Sequence, residues 1–214
     1  MEAKGCDIDQ GNSMGNILVR AACHGDEEVA DMLPGQDDTN TNKPNEKGQT
    51  PLWLAALNGQ EEVVKMILGR GDVDPNGSDN EGKTPLLCAA QNGHAGVVKI
   101  LLGQVNIEPQ EPDHAGQTPL WNAAANGHEG VVELLLGRTD VDPNTLDKRC
   151  KTPLHCAALN GHAGVVEILL RRSDIEPNIQ DSEGRTPLSS AAGNGHVRVL
   201  KILLARDDVD VNMT

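Results

Sequence analysis

The sequence predicts an all-α solenoid of six stacked helix-turn-helix units. Three observations carry this prediction. The triplet Thr-Pro-Leu occurs five times, starting at Thr50, Thr84, Thr118, Thr152 and Thr186, always 34 residues apart. A fixed period of that size means one supersecondary unit stacked repeatedly along an axis. An alanine pair recurs with the same period, from Ala21-Ala22 through Ala55-Ala56, Ala89-Ala90, Ala123-Ala124 and Ala157-Ala158 to Ala191-Ala192. The chain has no Phe and no Tyr. Its core must therefore be Leu, Val, Ile and Ala, which suits thin layers of short, closely packed helices.

The unit beginning at Asp79 shows why each element forms. Asp79-Asn-Glu-Gly82-Lys reads as a turn, because Asp tolerates turn geometry and Gly supplies a positive φ. Thr84 is a good N-cap, and Pro85 suits the first helical position. Leu86, Ala89 and Ala90 then form one apolar face of a short helix. Asn92-Gly93 ends it, with Gly as the left-handed cap. A second helix starts near His94, with Val97, Val98, Leu101 and Leu102 inward and Lys99 outward. Asn106-Ile-Glu-Pro109 closes the unit. Isolated helices shorter than about 12–15 residues are marginal, so stacking must supply the missing burial.

The expected units run over about 14–46, 47–80, 81–114, 115–148, 149–182 and 183–212, after an extension over 1–13. The first unit lacks the Thr-Pro pair. It carries Pro34 where Leu68 stands in the next unit, and Asp26, Glu27, Glu28 and Asp31 make it polar. These features suit an N-terminal cap. The last unit has no such adjustment, with Val197, Val199, Leu200, Leu203 and Leu204 all apolar. Either the chain continues or a partner covers that end. Cys150 stands where other turns have Gly48, Gly82, Gly116 and Gly184. A retained positive φ would cost a non-Gly residue about 1 kcal/mol or more, so an altered tip is expected.

Formal net charge is -14, which disfavours a nucleic acid bound through its phosphates. Half of it lies in residues 1–46, with ten acidic residues against Lys4, Arg20 and Lys43. Five cysteines without paired spacing argue against a disulfide framework and for a reducing compartment. No apolar run approaches a membrane span, and the N-terminus lacks an apolar signal core. The expectation is a cytoplasmic protein without a membrane partner. The sequon at Asn212 is then chance.

Candidate chemistry is sparse. His94, His128, His162 and His196 occupy equivalent positions. Helices pack about 8–10 Å apart, so the rings cannot share an ion that needs ligands at ~2.0 Å. Their expected role is to fix the break between helices through local hydrogen bonds. Cys88 and Cys156 read as packed thiols. No Ser-His-Asp or Cys-His-Asn set has a recognised spacing, and no phosphate-binding glycine motif occurs. The Asp-Val-Asp-Pro loop at Asp72 recurs identically at Asp140, which fits solvation, and one loop cannot supply the cage of about six to eight oxygens that calcium needs. The expectation is no catalytic residue, no cofactor and no metal.

Thr152-Pro-Leu-His-Cys-Ala-Ala-Leu-Asn-Gly-His162, followed by Val165-Val166 and Leu169-Leu170, resembles the ankyrin repeat. The resemblance covers about residues 14–212. The family's usual period is about 33 residues. Here one extra residue falls in the loop after the second helix, as in Asp72-Val-Asp-Pro-Asn76. That loop and the Asn-Gly-His break are most similar to ankyrin arrays of fungal multidomain proteins, including NLR-like receptors. The resemblance implies a non-catalytic protein–protein interaction module that presents a concave face and turn tips.

Partners of family members commonly contact the tips and the exposed part of the first helix. In this chain the corresponding tip residues include Lys47, Lys83, Gln117, Lys148, Arg149, Lys151 and Arg185. The helix positions are Leu57, Gln91, Ala125 and Leu159, with Trp53 and Trp121 beside them. Packing between units competes with partner contact as the reading of both indoles. Lys148, Arg149 and Lys151 form the one basic cluster on an acidic chain and suit an acidic partner segment. The alternative is a regulatory or ligand-sensing segment of a larger NTPase receptor or enzyme, packed against an intramolecular partner domain.

Overall fold

The computed structural model describes Ala22 and residues 42–213. The expectations for the first unit, including Pro34, its acidic residues, Cys6 and Cys23, lie outside the described residues, except that Ala22 is helical and fully buried. Between residues 42 and 213 there are ten α-helices and no β-strand. They come in five pairs: α1 (Pro51–Leu57) with α2 (Glu61–Leu68), α3 (Pro85–Gln91) with α4 (Ala95–Leu102), α5 (Pro119–Ala125) with α6 (Glu129–Leu136), α7 (Pro153–Leu159) with α8 (Ala163–Leu169), and α9 (Pro187–Gly193) with α10 (Val197–Leu204).

The chain divides into two compact units, Met1–Glu108 and Pro109–Thr214. In the first, each helix packs on its pair-mate, α1 packs on α3, and α2 packs on α4. The second repeats this scheme. The first helices α5, α7 and α9 pack in series, and the second helices α6, α8 and α10 form a parallel row.

Every first helix starts the same way. The Thr side chain at Thr50, Thr84, Thr118, Thr152 and Thr186 accepts the N–H three residues on, and Pro follows at the first helical position. At Thr186 a full capping box forms with Ser189. Such a cap contributes typically about 1 kcal/mol. Every first helix ends at an Asn-Gly break. Gly161 has φ +77°, and a Cβ there would lie 2.6 Å from Nδ1 of His196. Glycine is required twice over, for conformation and for close approach.

The expected single apolar face understates how deeply the first helices are buried. In α7 every residue from Pro153 to Ala158 is buried. The cause is that α5, α9 and α8 surround this seven-residue helix. The second helices do keep one apolar stripe. In α4, Val97, Val98 and Leu101 are buried, Leu102 is half-buried and Lys99 is exposed. In the last pair, Val199 and Leu203 are fully buried, while Val197 and Leu204 are 58% and 55% exposed.

The loops after the second helices are braced rather than merely solvated. The Asn144 amide donates to the Asp174 carbonyl at 2.7 Å and accepts the Glu176 N–H at 2.9 Å. Asn178 brackets Asp208 and Asp210 in the same way, and Gln110 does so for Asp140 and Asp142. In the first unit Asn42 and Asn76 repeat the bracket. Arginines add a second brace. Arg172 donates to the Leu136 carbonyl at 3.0 Å while holding Asp174, and Arg206 donates to the Leu170 carbonyl at 2.6 Å while holding Asp208. Each supplies a donor near the C-terminal end of the preceding second helix, where carbonyls lack intrahelical partners.

Close stacking makes the alanine pairs intolerant of size. Ala157 is fully buried on α7. Ala157→Leu is expected to destabilise the protein by about 1–3 kcal/mol through overpacking. Equilibrium urea unfolding of both proteins checks this.

Candidate protein-binding surface

The turn tips of the second unit are built on buried carboxylates. In the second unit Asp113, Asp147 and Asp181 are at most 8% exposed. Oδ1 of Asp147 accepts the N–H groups of Arg149 and Lys151 at 2.9 and 2.8 Å. Asp113 and Asp181 do the same for the residues two and four positions on. Adjacent tips are tied through backbone, with Lys148 N–H donating to the Ala115 carbonyl at 3.0 Å and Ser182 N–H to the Arg149 carbonyl at 2.9 Å. In the first unit Asn45 and Asp79 build the turns, and Asn80 N–H donates to the Lys47 carbonyl at 3.0 Å.

This framework fixes the backbone and leaves tip side chains outward. Lys47, Lys148 and Arg149 are exposed, and Lys83, Gln117, Lys151 and Arg185 are half-buried. Lys83 pairs with Glu81 at 2.9 Å, and Arg185 pairs with Asp181 at 2.8 Å and Glu183 at 3.0 Å. At the helix ends, Leu57, Gln91, Ala125 and Leu159 are all half-buried. The two leucines are therefore less open than their sequence position suggests.

The expected altered tip at Cys150 is not found. Cys150 keeps φ +58°, the one positive φ of a non-glycine residue among the described residues. Its N–H donates to the Asp147 carbonyl at 2.9 Å, as Gly116 does to Asp113 and Gly184 to Asp181. The turn's hydrogen bonds outweigh the strain of the left-handed conformation.

Trp53 is 4% exposed, and its indole N–H donates to the Lys83 carbonyl at 2.8 Å. It packs between repeats and offers a partner almost no surface. Trp121 is half-buried and donates likewise to the Lys151 carbonyl at 3.1 Å. The break histidines also reach across repeats instead of acting locally. Nε2 of His94, His162 and His196 lies 2.9–3.0 Å from the carbonyls of Leu57, Ala125 and Leu159, each the final residue of the preceding first helix. A ring nitrogen engaged with a carbonyl in this way carries the proton and is no ligand for a metal.

The family model for ankyrin repeats in three copies matches residues 18–113, 71–147, 107–181 and 139–214. The chain belongs to the ankyrin repeat family. No curated protein matches it. Ankyrin repeats generally mediate protein–protein interaction, and the family is typically non-catalytic. Among the described residues, no helix is long and apolar enough to cross a membrane.

The ankyrin stacking brings together one Ser-His-Asp set that sequence spacing did not reveal. Nε2 of His155 lies 2.9 Å from Oγ of Ser190 and 3.5 Å from Oδ2 of Asp181. All three residues are at most 5% exposed, and Nδ1 of His155 has no partner. The signal was available: His155 and Ser190 are 35 residues apart, one repeat plus one residue, so they face each other across the stack. The acid and the serine meet the same ring nitrogen. An acceptor-only carboxylate there assigns the proton to Nε2, which cannot then act as a base toward Ser190. Hydrolysis needs the opposite tautomer and access for substrate. His155 is fully buried, because it lies against Asp181 at the base of the next tip.

Burial pushes the His155 pKa down to about 4 despite the Asp181 charge. Burial opposes ionisation of Asp181, but the Arg185 guanidinium, the N–H groups of Arg185 and Glu183, and His155 bring its carboxyl down to about 2. The Cys156 thiol is pushed up to about 12 by burial and by Asp147. Cys88 and Cys156 are buried, so both are packing residues.

Two expectations follow. His155 stays neutral in the folded state while its ordinary value is near 6.5, so the unfolded chain binds the proton more readily. Its share of stability is present above pH 6.5 and is lost as pH falls toward 4, by on the order of 3 kcal/mol. His155→Leu, the residue type Leu87 supplies at the equivalent position, is expected to flatten the stability profile in that window, as urea midpoints across pH will show. Cys150→Gly is expected to raise stability by about 0.5–1 kcal/mol, strain relief being partly offset by glycine's larger unfolded-state entropy. A thermal melt of the two proteins compares them.

Proposed function

We propose that this chain is a non-catalytic adaptor that binds a protein through the tips and first-helix ends of its repeats. The observation that carries the reading is the division of labour at the tips. Buried Asp147 and its equivalents hold the backbone, while the outward residues differ from repeat to repeat. Lys47, Lys83, Gln117, Lys148, Arg149, Lys151 and Arg185 form the polar part of the surface. Leu57 and Leu159 supply apolar contact where other repeats carry Gln91, Ala125 or Gly193. A preordered surface binds without a large ordering cost. The charge of -14 disfavours a nucleic-acid partner, and a cytoplasmic setting fits five cysteines without paired spacing.

A second reading makes the array a regulatory or ligand-sensing segment of a larger receptor or enzyme, of the fungal NLR-like kind. Exposed Val197, Leu204 and Val211 at the last pair favour it, because a neighbouring domain would cover them.

The test starts from a protein partner isolated on the immobilised chain, with affinity then measured by calorimetry. Leu57→Ser with Leu159→Ser is expected to weaken binding about tenfold or more, the scale of an interface anchor, with cooperative unfolding retained. Unchanged affinity would place the interface elsewhere. Weakening by Val197→Ser with Leu204→Ser instead would favour the second reading.

A further inference from the structure

Six of the seven arginines in the second unit are spent in ion pairs within it. Arg138, Arg171, Arg172, Arg185, Arg198 and Arg206 each pair with a carboxylate at 2.5–3.7 Å. Arg149 is the exception among the arginines of this unit. Neither it nor Lys148 or Lys151 has an ion-pair partner among the described residues. The nearby carboxylate that could neutralise them, Asp147, is buried and turned inward to the N–H groups of Arg149 and Lys151. The next tip carries its own closed pair, Arg185 with Glu183. The preceding tip, His114-Ala115-Gly116-Gln117, contains no carboxylate. Three uncompensated cations thus sit on one turn of a chain whose net charge is -14.

The backbone beneath them is held on every side. Lys148 N–H bonds to Ala115, the Arg149 carbonyl accepts from Ser182, and the Lys151 carbonyl accepts from the Trp121 indole. A fixed spacing of unpaired charges is what distinguishes a docking point from an ordinary solvated turn. Leu146, 48% exposed, lies two residues before Lys148.

We infer that the Lys148-Arg149-Lys151 tip receives an extended acidic segment, rich in Asp and Glu, of the protein partner; this rests on the adaptor reading above. Charge complementarity selects the occupant. A polyphosphate strand is disfavoured by the overall negative field and by the lack of exposed aromatics for base stacking. Successive side chains of an extended segment alternate in direction, so alternating carboxylates bring one row of charge to the tip. Single exposed ion pairs contribute little, so the three cations act together, and they speed encounter and set register.

The probe is a fluorescein-labelled twelve-residue peptide of alternating Glu and Ser, followed by anisotropy at low salt. The intact chain is expected to bind it saturably, with affinity falling as salt rises. Replacing Lys148, Arg149 and Lys151 by Gln together is expected to weaken binding tenfold or more. Lys99→Gln with Lys201→Gln, on second helices, is expected to change it less than twofold. Circular dichroism shows whether the triple variant folds, and Arg149→Glu provides a single-site variant expected to lower affinity at least threefold. The inference is overturned if the intact chain shows no saturable binding. It is equally overturned if the tip variants bind like the original, if the control pair loses as much, or if a twelve-residue oligonucleotide binds as tightly as the peptide. Such results leave the separate effect of Leu57 and Leu159 on a natural partner unaffected, so the two readings fail independently.

Discussion

A helix of seven or eight residues cannot hold itself in water, and every described helix of this chain is that short. The fold therefore depends on contact between repeats. α7 illustrates the constraint, since three neighbouring helices bury almost its whole circumference. Alanine pairs permit the close approach, and polar groups secure it. His196 meets the last carbonyl of α7, Arg206 meets a carbonyl after α8, and Asn178 brackets the following loop. Each bond joins one repeat to the next, so a helix end that would be orphaned in isolation is satisfied by its neighbour.

That constraint separates scaffold from surface. Groups needed for stacking are largely shielded from solvent and repeat with the period: buried Thr caps, Ala pairs that are buried in all but the last described repeat, turn aspartates and half-buried break histidines. Tip side chains are not needed for it, and they vary. Cys150 marks the boundary between the two demands. The turn's hydrogen bonds require a left-handed residue, and the chain tolerates a strained cysteine there without losing them. Nearby, His155 shows that a catalytic-looking set can be wholly structural, because Ser190 and Asp181 approach the same nitrogen inside a closed core.

Much of this was legible in the sequence. Thr-Pro-Leu marked the helix starts, Asn-Gly marked the breaks, and Val-Val with the first Leu of the following pair marked the inward stripe. These signals are local and obey helix geometry. The connections between repeats were less legible, because they join residues about one period apart. The break histidines read as local braces, and the acidic loops after the second helices read as merely solvated, although Asn144 and Asn178 brace two of them. Trp53 read both as packing between units and as a partner contact, and its indole N–H bond to the next repeat fits the packing role. A comparison of residues 30 to 37 positions apart would have found these pairs. The partner surface is the least legible part, since folding places no demand on it.

Rigid presentation requires tips that are ordered before any partner arrives. Native-state hydrogen exchange at the N–H groups of Arg149 and Lys151 tests this directly, because both are bonded to buried Asp147. Protection comparable to amides within the flanking helices α5 and α7 is expected. Exchange at the rate of an unstructured peptide would show that the tip is not preordered, and would contradict rigid presentation as the basis of binding.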